Sequence, residues 1–142
     1  MRFWDASALI PLCVEQPASG LVRPLLTVDH GMVVWWGSPV ECRSAFARLR
    51  REGFLSPEEE EAASALLMAL QEAWIEIQPM EQVRAQAIRL LRVHPLRSAD
   101  ALQLAAALVW TGSPPAGELV ALDRRLREAA RLEGLIPRPD RI

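Results

Sequence analysis

Met1-Arg-Phe-Trp-Asp-Ala-Ser-Ala-Leu-Ile10 opens the chain, and in it a short apolar run stops on a carboxylate, Asp5. Arg2 to Trp4 is rich in aromatic side chains and too short for a helix, which predicts a strand, while Ser7-Ala-Leu-Ile10 begins a helical pattern. Asp5 then sits where a strand ends. In open α/β sheets that edge binds ligands, because the loops leaving the strand ends splay into a crevice. The competing reading is that Asp5 caps the following helix, since Asp is among the best N-caps.

Outward from this start, strand-like runs alternate with helical segments, without internal repeats or a low-complexity linker. Two helices are expected at residues 7–13 and about 18–28, separated by Gln16-Pro17. Met32-Val-Val-Trp-Trp36 reads as a buried strand between Gly31 and Gly37. Ser38-Pro-Val-Glu41 carries the capping-box order Ser, Pro, x, Glu and opens a helix that Gly53 stops near Glu52. Ser56-Pro-Glu-Glu59 repeats that start signal for a helix to about Ala73, and Trp74-Ile-Glu-Ile77 alternates as a strand. A helix over 81–93 has an apolar stripe of Val83, Ala87, Leu90 and Leu91. The segment Ser98 to Leu108 is a strongly apolar helix expected to be central. A fourth strand is expected over 118–122, then a helix capped by Asp123, then a short fifth strand at 134–136. Strands alternating with one or two helices point to right-handed crossovers and an α/β fold. The expected architecture is one domain over 1–142, with a mainly parallel sheet of four to five strands and helices on both faces.

In such a sheet the strand ends and the following helix starts share one edge, and four carboxylates fall there: Asp5, Glu41, Asp100 and Asp123. Each has a local explanation. Glu41 fits a capping box, Asp100 the helix dipole behind a Ser98 cap, and Asp123 an N-cap. Together they would share a crevice, and carboxylates at such range raise one another's pKa or need a counter-charge. A hard divalent cation with oxygen ligands, Mg²⁺ or Mn²⁺, meets that need. His30 and His94 lie at none of these positions, which gives little support to a zinc-type site or a His general base.

Composition narrows the chemistry further. At 142 residues the chain can bury roughly two thirds of its surface without disulfide or metal staples. All 16 basic residues are Arg, so P-loop and haloacid-dehalogenase-type mechanisms, which rely on a lysine, are excluded in their usual form. A net charge of -2 argues against a broad, non-specific nucleic-acid surface but leaves room for local Arg clusters. No apolar run approaches a membrane span, and the start lacks the apolar core of a signal peptide, so the expectation is a cytoplasmic protein. Cys13 and Cys42 lie in helical patterns and are expected to be reduced core thiols. A response-regulator receiver domain would need an Asp on the middle strand and a lysine, and both are missing.

Four motifs in order, Phe3-Trp-Asp-Ala-Ser-Ala-Leu9, Ser38-Pro-Val-Glu41, Arg97-Ser-Ala-Asp-Ala-Leu102 and Val120-Ala-Leu-Asp-Arg-Arg-Leu126, resemble the PIN-domain family. The likeness is specifically to the small ribonucleases of VapC-type toxin–antitoxin pairs, and it spans nearly the whole chain. It implies a metal-dependent endoribonuclease whose acidic cluster would be Asp5, Glu41, Asp100 and Asp123, with Ser7 as a supporting hydroxyl. One departure is Ala121, where the family often has Thr two residues before its last Asp. Arg97, Arg124 and Arg125 adjoin two of the proposed ligands and could hold flanking phosphates, since guanidinium pairs with phosphate in bidentate fashion. The expected substrate is single-stranded or looped RNA, whose backbone and bases are accessible. The resemblance, together with the apolar helices at 18–28 and 57–73, also implies a homodimer and a cognate antitoxin covering the acidic cleft. Two other readings remain: a non-catalytic PIN-like module that binds protein or RNA, and a structure-specific DNA nuclease of similar fold. Trp35 and Trp36 fit either sheet core or base-stacking platforms.

Overall fold

The aromatic start forms the middle of the sheet. In a computed structural model describing residues 1–142, β1 (Arg2–Trp4) has β2 (Met32–Trp35) and then β3 (Ile75–Ile77) on one side. On its other side lie β4 (Glu118–Val120) and then β5 (Ile136–Arg138). All five strands are parallel, as a chain that returns through helices requires. Phe3 pairs with both Val33 and Leu119. The order places the switch point at β1: the chain first builds outward through β2 and β3, then returns to lay β4 against the opposite edge of β1. Ligands of open α/β sheets bind at such a point.

The period-2 alternation of the strands sends successive side chains to opposite faces, and two cores result. On one face Phe3, Val33, Trp35 and Leu119 pack with Val83, Ala87 and Leu90 of α5 (Glu81–Val93). The same core takes in Ala101 to Leu108 of α6 (Ser98–Thr111) and Leu126, Ala129 and Ala130 of α7 (Arg124–Leu132). On the other face Trp4, Met32, Val34 and Val120 meet α1 (Ala6–Cys13), with Val22 of α2 (Ser19–Val28). Cys42 and Phe46 of α3 (Ser38–Arg51) and Ala63 and Leu67 of α4 (Pro57–Ala73) complete that side. Cys13 and Cys42 are buried free thiols there, as expected.

Several local expectations shift. Trp36 lies outside β2 and is 51% exposed, edge-on to the buried Trp35. The fifth strand begins at Ile136 because Gly134, at φ +99, still belongs to the turn after α7. Leu91 is 44% exposed, so the buried stripe of α5 ends at Leu90. The largest difference concerns the two Ser-Pro-x-Glu starts. At α4 the capping box is complete: Ser56 Oγ accepts from the Glu59 N–H, and Glu59 Oε1 accepts from the Ser56 N–H. At α3 no box forms; Gly37 is the N-cap and no side chain caps it. A Cβ at position 37 would stand 2.5 Å from Trp35 Nε1, so the indole packed beneath the turn favours glycine there, and Ser38 falls inside the helix. Ser98 likewise caps nothing, since the N-cap of α6 is Arg97.

Candidate active site

Four helix starts converge on the C-terminal edge of the sheet around β1 and β4. Asp5 follows β1 directly and serves as the N-cap of α1, its carboxylate accepting from the Ser7 N–H at 3.0 Å and from the Ser7 hydroxyl. The capping reading is correct here, but it leaves much unexplained. The residue is 3% exposed, and burial pushes its carboxyl up to about 6 against the pull of the Ser7 bonds, with the Asp100 charge adding to the rise. A helix cap at the surface has no reason to carry that penalty. Ser7 Oγ also accepts from the Leu122 N–H at 2.9 Å, which ties the turn after β1 to the loop that leads into Asp123. The hydroxyl expected to support the site is thus bonded to one acidic residue and to the loop bearing another.

Glu41 sits in the first turn of α3, half-buried. Since Ser38 forms no capping box, the local explanation for Glu41 falls away. Its Oε1 accepts from Gln103 Nε2 at 3.1 Å. Burial foremost, then the charge of Asp5, raise its carboxyl to about 7; the Gln103 bond opposes this and Asp100 adds to it. Asp100, in the first turn of α6, is also raised, by burial and then by Asp123, with the Arg97 backbone and the charges of Arg97 and Arg125 opposing. Asp123 is the exposed member and a true N-cap of α7, its Oδ1 accepting from the Leu126 N–H at 2.8 Å.

Glu41, Asp100 and Asp123 line an open cleft of ≈ 870 Å³, and Asp5 lies behind its wall, near enough for its charge to act on Glu41. Arg97, Arg124 and Arg125 line the same cleft, together with Arg48, Ser44, Ala99 and Leu122. None of these four arginines is spent on an ion pair, a freedom they share with Arg43, Arg51, Arg92, Arg127 and Arg141 outside the cleft. Arg48 and Ser44 were missed in the sequence. Their signal was the spacing Glu41, Ser44, Arg48, which puts all three on one helix face.

The donor set is wholly carboxylate oxygen, the type hard cations take, and three of its members are held above their ordinary range by burial and mutual repulsion. No three of the acidic, His or Cys side chains stand close enough to enclose an ion unaided. His94 is buried elsewhere, its Nε2 2.7 Å from Glu133 Oε1, and does not enter the cleft.

Comparison with known proteins places the fold. No family model matches the sequence, and no curated protein matches it. Among solved structures, the chain is similar to VapC20 of Mycobacterium tuberculosis, described as a sarcin-ricin loop cleaving toxin. The two are 17% identical, with TM-score 0.68 over 96% of this chain and 97% of that one. It is also similar to FitAcB from Neisseria gonorrhoeae, at 15% identity and TM-score 0.67 over 96% of each chain. A third likeness is to PAE2754 from Pyrobaculum aerophilum, at 21% identity and TM-score 0.65, covering 96% of this chain and 87% of that one. The fold is therefore the PIN-domain fold that the four sequence motifs resemble.

Proposed function

We propose that the protein is a Mg²⁺- or Mn²⁺-dependent endoribonuclease of the VapC type, the toxin of a toxin–antitoxin pair. The observation that carries this reading is the cleft itself, where carboxylates from separate helix starts meet unpaired arginines at the switch point of the sheet. Asp5, Glu41, Asp100 and Asp123 form the acidic cluster that would hold the ion together with water and substrate phosphate, since no three of them close around a cation by themselves; the ion would supply an acidified water and offset charge on the phosphate. Asp5 Oδ2, Glu41 Oε1 and Asp123 Oδ1 each accept hydrogen bonds within the protein, which fixes the three carboxylates in place. Arg48, Arg97, Arg124 and Arg125 bind and orient the backbone on either side of the scissile phosphate, as planar guanidinium forks do. No covalent nucleophile is needed. VapC20 is described as a sarcin-ricin loop cleaving toxin, and a looped or single-stranded RNA fits an open cleft of this kind.

The test is cleavage by protein stripped of metal. Chelator-treated protein should leave RNA intact, adding Mg²⁺ or Mn²⁺ should restore cutting, and single-stranded DNA should be cut far more slowly. Full-rate cleavage in chelator removes the metal from the reading. DNA preferred over RNA makes it a DNA nuclease, and metal binding without any cutting makes it a binding module.

The partners follow from the same reading. No helix is long and apolar enough to cross a membrane, yet Leu21 and Val28 of α2 and Leu66 and Met68 of α4 are 41%, 79%, 50% and 56% exposed. We take these faces to be covered in a cytoplasmic homodimer, with an antitoxin over the cleft. Light scattering on the purified chain should report two copies, and expression without a neighbour-encoded partner should arrest growth. A harmless monomer contradicts both.

A further inference from the structure

We infer that Gln103 is a positioning residue of this site: its amide holds the Glu41 carboxylate and joins the helix start bearing Glu41 to the helix bearing Asp100. The inference rests on the reading of Glu41 as a metal ligand given above. Gln103 lies three residues after Asp100 on α6, hence on the same side of the helix, within the otherwise apolar run Ala101-Leu-Gln-Leu-Ala-Ala-Ala107. It is fully buried. Its Nε2 donates to Ser38 Oγ at 2.9 Å and to Glu41 Oε1 at 3.1 Å, so both N–H groups of one amide end on the first turn of α3. Its Oε1 is buried with no hydrogen-bond donor in reach.

A buried amide with an orphaned carbonyl is a liability for a fold, and an apolar side chain of similar size would fill this helix position without that cost. What the amide supplies is direction. Glu41 is flexible and shares its surroundings with Asp5 and Asp100, whose charges repel it. Two donors with fixed acceptors set the amide plane, and the amide in turn fixes Oε1 of Glu41 and leaves Oε2 for a ligand. Turning the amide over would set its carbonyl against the carboxylate, so an ionised Glu41 selects the observed orientation. Ser38 also finds its role here. It caps nothing, and it is the second acceptor that fixes Gln103.

The experiment uses Q103M, which keeps the length and unbranched stem and removes both donors. In chelator its melting temperature should equal or exceed that of the wild type. Its Mn²⁺ affinity, measured by titration calorimetry, should fall about 10–100-fold, the range for losing a partner that orients a metal ligand. The Mn²⁺-induced rise in melting temperature should shrink with it. E41Q run in parallel separates the two claims. If the wild type does not bind Mn²⁺, or E41Q binds it as tightly as the wild type, the metal reading fails and takes this inference with it. If E41Q loses Mn²⁺ while Q103M binds with wild-type affinity, the positioning role alone is overturned. Should Q103M fail to fold in chelator, Q103L offers a second apolar shape. Failure of both would make Gln103 an anchor of the fold and overturn the proposal equally.

Discussion

Glu41→Gln is expected to lower RNA cleavage on the order of 100-fold or more, because a ligand charge worth several kcal/mol in the transition state is lost. Folding should not suffer. Glu41 is no part of a capping box, and a glutamine carbonyl can still accept from Gln103 Nε2. The metal-free variant should even gain about 1–2 kcal/mol at pH 8, since a half-buried carboxylate raised to about 7 by burial and by Asp5 has become neutral. Glu59→Gln is the internal control, because Glu59 holds the same place in the box that does form, on a helix that sends no side chain into the cleft. Glutamine serves there as well as glutamate, so cleavage should be unchanged and stability within about 1 kcal/mol of wild type. Glu41→Gln protein that cuts RNA and binds Mn²⁺ as the wild type does would remove Glu41 from the site.

Metal-free protein should lose stability as the pH rises from about 5 to about 8, and bound Mn²⁺ should reverse that slope. Asp5 stands at about 6 in the folded chain against an ordinary 3.8, and Glu41 at about 7 against 4.5, the first cause in both cases being burial. Raised folded values mean that the native state binds more protons than the unfolded chain in this window. Their contribution is therefore complete below the unfolded values and is lost as pH climbs through 6 and then 7. The lowered carboxyls, Asp29, Glu118, Glu128 and Glu133, act in the opposite sense but only in more acidic solution, so they leave the window clear. At about 1.4 kcal/mol per unit, with the partly exposed Glu41 discounted for solvent screening, the loss is on the order of 3 kcal/mol. That corresponds to roughly 10 °C in melting temperature for a chain of this size. A bound cation requires deprotonated ligands, so its stabilisation grows with pH. Thermal melts in chelator that stay flat or rise across this range would show that Asp5 and Glu41 are not held as the geometry indicates.

The α/β class, the order of elements and the candidate carboxylates were legible in the sequence because each depends on local pattern. Strand and helix periods differ, Gly53 ends a helix, and Asp5, Glu41, Asp100 and Asp123 each follow a strand or open a helix within a few residues. Short-range pattern could not distinguish Ser38-Pro-Val-Glu41 from Ser56-Pro-Glu-Glu59. The difference lies in tertiary contacts: Gly37 sits against the Trp35 indole, and Ser38 accepts from Gln103, on a helix 65 residues away, instead of capping its own. Nor could it place Arg48 beside Arg97, Arg124 and Arg125, or bury Asp5 while leaving Asp123 exposed, because proximity and desolvation depend on which strands become neighbours. Local propensity, acting over a turn or two of chain, determined what each segment became. The pairings of β1 with β2 and of β4 with β1 are both long-range, and together they set which charges share one cleft and how far burial raises their pKa values.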